Sequence, residues 1–244
     1  MDKEVEYRKL VKDVEEAYRS RLRDKNAKGV YLRWCEACEE INLWTYWQGK
    51  GNYDPKYLLV GQDWGCADDE NGKRFLENIQ AMKRGEDVSY IGDKISMTDS
   101  NLAALFEHLG YPDIGSVRYE DLFFTNLCLG YRSEGTSGNL KKSWLRQDYP
   151  FFRRLVQILK PQSVICLGRD TFVGVLEALG LEKPTIKRYN DFIESGSNSV
   201  LAQIGGKEVS IFGFAHCGVM GTLNRNGKHG TGLGKQMKDW EKAR

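Results

Sequence analysis

The 244-residue chain is 41% hydrophobic and 29% charged, which excludes global disorder and predicts one large domain with a sizeable core. A formal net charge of +2 excludes the global basic field of a non-specific DNA packer, while leaving room for a local basic rim around one cleft. No apolar run reaches membrane-span length or resembles a signal-peptide core, and the first residues mix Lys, Arg, Asp and Glu, so a cytoplasmic protein with no membrane partner is expected.

Over residues 4–24, Tyr7, Leu10, Val11, Val14, Ala17 and Tyr18 recur at helical spacing and predict an amphipathic helix. Trp34, Trp44, Tyr46 and Trp47 follow and read as aromatic packing of an N-terminal cap. Residues 1–50 are thus a helical extension of a single domain spanning 1–244. From residue 57 the pattern becomes that of a doubly wound sheet. Tyr57 to Gly61, Leu122 to Asn126, Ser163 to Gly168 and Ser210 to His216 are short apolar runs of buried-strand character. Between them, Leu102, Leu105, Phe106 and Leu109 share a helical face, as do Phe152, Leu155, Val156 and Leu159, and Phe172, Val175, Leu176 and Leu179. Val200 to Ile204 and Val209 to Phe212 flank Gly205-Gly206, a hairpin feeding the last strand. This alternation predicts an α/β fold, a three-layer α/β/α arrangement around a central four-stranded parallel sheet.

In such sheets ligands bind at the carboxyl ends of the strands. The first strand ends in Gly61-Gln62-Asp63-Trp64-Gly65, the second in Thr125-Asn126, the third in Gly168-Arg169 and the fourth in His216-Cys217-Gly218. Taken singly, a strand-end Asp is ordinarily a turn former or helix cap, an Asn closes an Asx turn, and a His is a satisfied polar group. A carboxylate, an amide and an imidazole at three mouths of one sheet form a less ordinary set.

The wording of these segments resembles the uracil-DNA glycosylase superfamily, closest to its iron–sulfur branch, over residues 57–225. Gly61-Gln62-Asp63-Trp64-Gly65 is similar to the first motif of that superfamily, and Gly72-Lys73-Arg74-Phe75 stands where relatives carry Gly-x-Pro-Phe. Phe124-Thr125-Asn126, the stretch from Pro150 to Gly168, and His216 match the remaining motifs in order and spacing. The resemblance implies a DNA repair hydrolase that flips a damaged base, uracil first, out of DNA and cuts its N-glycosidic bond. It implies Asp63 and His216 as catalytic residues, with Gln62, Trp64, Phe75 and Asn126 around the base. Arg169, Met220, Leu223 and Arg225 would touch DNA, single-stranded DNA included. Phe75 is equally readable as core. Gly65 stands where the classical branch has the aromatic that excludes a 5-methyl group, so bases other than uracil stay open, and Cys217-Gly218 replaces Pro-Ser. Two other readings also stay open: a non-catalytic base or nucleic-acid binder, and a small-molecule nucleoside or nucleotide hydrolase.

Cys35-x-x-Cys38 stands upstream of the first strand, where the iron–sulfur branch has its first two cluster ligands. The third would fall near Gly130 and the fourth near Asp148, and neither is Cys. A four-iron cluster or a zinc site is therefore short of ligands, no cofactor is expected, and the pair reads as two buried structural thiols.

Overall fold

A computed structural model of the chain describes residues 2–36, 38–41, 53–66, 77, 80–81, 84, 86, 96–115, 117, 119–135, 140–227 and 232–244. Trp44, Tyr46, Trp47, the segment Gly72 to Phe75, and residues 228–230 lie outside them. The described helices are α1 (Lys3–Ser20), α2 (Met97–His108), α3 (Lys142–Leu159), α4 (Arg169–Leu179), α5 (Tyr189–Glu194), α6 (Val219–Asn226) and α7 (Gly234–Trp240). The strands are β1 (Leu32–Arg33), β2 (Tyr57–Gly61), β3 (Trp64–Cys66), β4 (Leu122–Asn126), β5 (Tyr131–Arg132), β6 (Ser163–Leu167), β7 (Ser199–Ile204) and β8 (Lys207–Phe214).

The main sheet has the order β4-β2-β6-β8-β7. Its first four strands, all anticipated from the apolar runs, pair in parallel. The expected four-stranded parallel sheet is nevertheless five-stranded and mixed, because β7 adds itself antiparallel to β8. The Gly205-Gly206 turn between them takes positive φ at both residues, which a two-residue hairpin of this hand requires. β7 buries only Ala202 and Ile204, the alternation of an edge strand, whereas β4 and β6 are buried throughout.

Period-two alternation sorts the parallel strands onto two hydrophobic clusters. Leu58, Val60, Phe123, Val164, Cys166 and Ile211 pack with α1, α3 and α4. Tyr57, Leu59, Phe124, Ile165, Leu167 and Phe214 pack with α2 and with Trp240 of α7. Helices thus cover both faces of the sheet, compatible with α/β/α layering. Each buried Leu or Phe contributes about 1.5–3 kcal/mol, which is why these runs are apolar on both faces rather than alternating.

Two boundaries differ from the sequence reading. The first helix ends at Ser20, where Arg21 turns extended, and residues 1–50 also contribute β1. Tyr7, Leu10, Val11, Val14 and Tyr18 belong to the main core cluster, so α1 is part of the core. A small second sheet, β1-β5-β3, lies outside the expectations, since two- and three-residue strands carry no periodic signal. Among the described residues, no helix is long and apolar enough to cross a membrane.

Candidate active site

The parallel register carries two candidate residues to adjacent positions. Gly61 at the end of β2 stands opposite Asn126 at the end of β4, and the ladder continues as Leu127 and Cys128 donate to the carbonyls of Gly61 and Gln62. A methyl group on Gly61 would overlap Oδ1 of Asn126, so the missing side chain makes the space in which the amide sits. Asn126 is only 3% exposed. No hydrogen bond to its side chain is present among the described residues, although a buried amide ordinarily finds a partner inside the protein. Its neighbour Thr125 donates to the carbonyl of Ile41 at 2.6 Å, which holds the chain after the cysteine pair against the end of β4.

Asp63 follows β2 by two residues and forms a buried ion pair that the sequence did not suggest. Nε of Arg132, on β5, donates to Oδ2 of Asp63. Burial raises the Asp63 pKa from its ordinary value, and the guanidinium opposes that rise through its hydrogen bond and charge. Gln62 is half-buried between these residues.

His216 lies just past β8, two strands from β2. Its Nδ1 accepts a hydrogen bond from the backbone N–H of Gly218 at 2.9 Å. In the neutral ring the proton then resides on Nε2, an assignment inferred from this network. Desolvation lowers the pKa from its usual value and so favours the neutral ring, while the residue as a whole is solvent-exposed. The loop wraps tightly here: a methyl group on Gly218 would lie 2.9 Å from Nδ1, and one on Gly221 would strike the His216 carbonyl. Gln236 of α7 donates to the carbonyls of Ala215 and His216 at 3.3 Å each, and Asn101 of α2 donates to that of Cys217 at 2.7 Å. Sequence reasoning missed these clamps because they join residues more than a hundred positions apart, or different helices, through single side chains.

The predicted DNA contacts divide. Met220 and Leu223 of α6 are 69% and 42% exposed, and with Val219 they form one apolar flank beside the His216 loop. Arg169 is exposed beside the end of β6 and donates to the carbonyl of Ile186 at 3.1 Å. Arg225 does not reach the surface. It makes a two-pronged pair with Asp239 at 2.6 and 2.8 Å and a third contact with Glu194, so its charge is spent tying α6 to α7 and α5. Trp64 is buried and stacks on Tyr131 with ring centroids 4.7 Å apart. Phe75 lies outside the described residues.

The cysteine pair, expected as separate thiols, is joined as a disulfide, its Cα atoms 5.3 Å apart across the C-x-x-C turn. The residues present do not fit a four-iron cluster. Cys35 and Cys38 are bonded to each other, the ring of Tyr18 fills the space over Gly130, and Asp148 is taken up by Tyr18, Arg21 and the Leu129 N–H.

At the strand mouths the chain therefore brings together a buried amide, a carboxylate paired with arginine, and a neutral imidazole with a fixed tautomer. Four parallel strands at about 4.8 Å spacing set the outer two, β4 and β8, about 14 Å apart. No protein-family model matches this chain, and no curated protein matches its sequence.

Proposed function

We propose that this protein is a hydrolase of the uracil-DNA glycosylase type, which takes a flipped base, uracil first, into the strand mouth and cleaves its N-glycosidic bond. The observation that carries the reading is Asn126, a residue only 3% exposed whose side-chain amide has no hydrogen bond among the described residues. A ligand with both a donor and an acceptor on one edge would pair with this amide. A pyrimidine base presents such an edge, and the amide selects between edges.

The rest of the site suits the charges of the reaction. The C1′–N bond breaks with its electron pair leaving on the base, positive charge develops on the sugar, and water oxygen bonds to C1′. Asp63 stabilises the sugar and orients the water, and Nε2–H of His216 donates to the base oxygen that gains negative charge. The water's proton ends on the departed base. Met220 and Leu223 suit an apolar wedge that fills the gap left by the extruded nucleotide.

One observation favours the second reading, a non-catalytic base or nucleic-acid binder: Oδ2 of Asp63 is already neutralised by Arg132. A base-release assay separates the two. Labelled oligonucleotides carrying uracil, hypoxanthine or a T·G mismatch are compared with free deoxynucleosides. Release from an oligonucleotide, reduced about 100- to 1,000-fold by Asp63→Asn and by His216→Ala, supports the glycosylase. Release from free nucleosides alone means a small-molecule hydrolase, and binding with no release from any substrate means a recognition module.

A further inference from the structure

Arg132 comes to the strand mouth from the small sheet rather than from the sheet that carries the other candidates. β5 pairs with β3, setting Tyr131 opposite Trp64 and Arg132 opposite Cys66, and β3 begins directly after Asp63. Trp64 stacks on Tyr131 at the first of these pairs, and the register shifts between Trp64 and Cys66. The two charges meet with side chains 3% and 9% exposed, Arg132 and Asp63 respectively. The contact is one-sided: Nε engages Oδ2, and no second hydrogen bond is present on the carboxylate among the described residues. Among the described residues, Cys128 beyond the end of β4 also faces Asp63, a fully buried thiol that burial holds protonated.

An isolated carboxylate at this depth would take up a proton and lose its charge. Arginine is suited to prevent that, since its guanidinium stays charged when buried and its planar N–H groups fix the orientation of the oxygens. We infer that Arg132 is the positioning residue of the site: it holds Oδ2 in a buried ion pair, so that Oδ1 stays ionised and fixed where positive charge develops on the sugar. The identity of that cation rests on the glycosylase reading; the ion pair itself does not. Because the guanidinium also weakens Asp63 as a base, the carboxylate begins and ends the reaction ionised. The proton of the attacking water passes to the departed base.

The test combines kinetics with a titration independent of activity. Arg132→Gln is expected to lower kcat by about 100-fold with little change in KM and to move the acid limb of the pH–rate profile upward, while Arg132→Lys recovers part of the loss. In carboxyl-carbon NMR, the Asp63 signal should titrate at higher pH in Arg132→Gln than in the wild type. The double variant Asp63→Asn/Arg132→Gln removes both charges, guards against misfolding of the single one, and should be no less active than Asp63→Asn. Unchanged titration of Asp63 in a folded Arg132→Gln or Arg132→Lys protein would overturn the inference, as would additive losses in the double variant. Wild-type protein that releases no base, yet shows the Arg132-dependent titration, would overturn the glycosylase reading and leave the ion pair standing.

Discussion

At the scale of single residues, the site is built from groups whose own needs are met unequally. The Asn126 amide has no hydrogen bond among the described residues, whereas the Asp148 carboxylate accepts from Tyr18, Arg21 and Leu129. Removing the amide leaves no described partner unsatisfied. Asn126→Ala is therefore expected to abolish base selectivity while shifting Tm by no more than about 2–4 °C, the equivalent of roughly 1 kcal/mol in a domain of this size. Competition binding of uracil and cytosine, read beside a thermal melt, checks both halves. His216 supplies a pH dependence. Its folded pKa lies below the unfolded value, so the unfolded chain takes up the proton first as pH falls. The contribution of the neutral ring is complete above the ordinary histidine pKa, near 6.5, and is lost as pH drops through the folded value. Protonation also removes Nδ1 as the acceptor for the Gly218 N–H. Imidazole nitrogen NMR should show the Nε2–H tautomer at pH 7, and loss of the Gly218 contact only once His216 titrates below 6.5.

At the scale of elements, α6 has an inner and an outer role that the residue pattern mixes. Arg225 points inward to Asp239 and Glu194, while Met220 and Leu223 point outward. Breaking a buried ion pair by deleting one partner costs about 3–5 kcal/mol. Arg225→Ala should thus lower Tm by about 6–20 °C, with no change in the salt slope of nucleic-acid binding at a temperature where it stays folded. A phosphate contact would give the reverse: unchanged Tm and a slope reduced by about one ion. Paired substitution of Met220 and Leu223 by Ala should leave Tm nearly unchanged, since both are exposed. It should slow base release from duplex DNA more than from single strands, where no stack has to be opened, which a comparison of the two substrates would show.

At the scale of the whole molecule, the four parallel strands were legible because each is a continuous apolar run buried on both faces, as are the helical faces Leu102 to Leu109 and Phe152 to Leu159. The hairpin was legible from Gly205-Gly206, but its consequence, a fifth antiparallel strand, depends on which edge of the sheet it joins. The strand-end rule located Asp63, Asn126 and His216 without a contact being known, since the carboxyl ends of parallel strands necessarily share one rim. What those residues touch was not legible. Arg132 stands on a two-residue strand without periodicity, Gln236 reaches His216 from the last helix, and Arg225 looked like any basic residue in a loop until α7 supplied Asp239. The same limit applied to Cys35 and Cys38, whose spacing suits free thiols, a disulfide or metal ligands alike, and which the fold joins to each other. Alternation and hydrophobic period are local properties, so the sequence alone determined the layers and the rim. Charge pairing and burial arise only when distant segments meet, so the tertiary structure alone decided which amide has no hydrogen bond among the described residues, which carboxylate is paired with arginine and which arginine is structural.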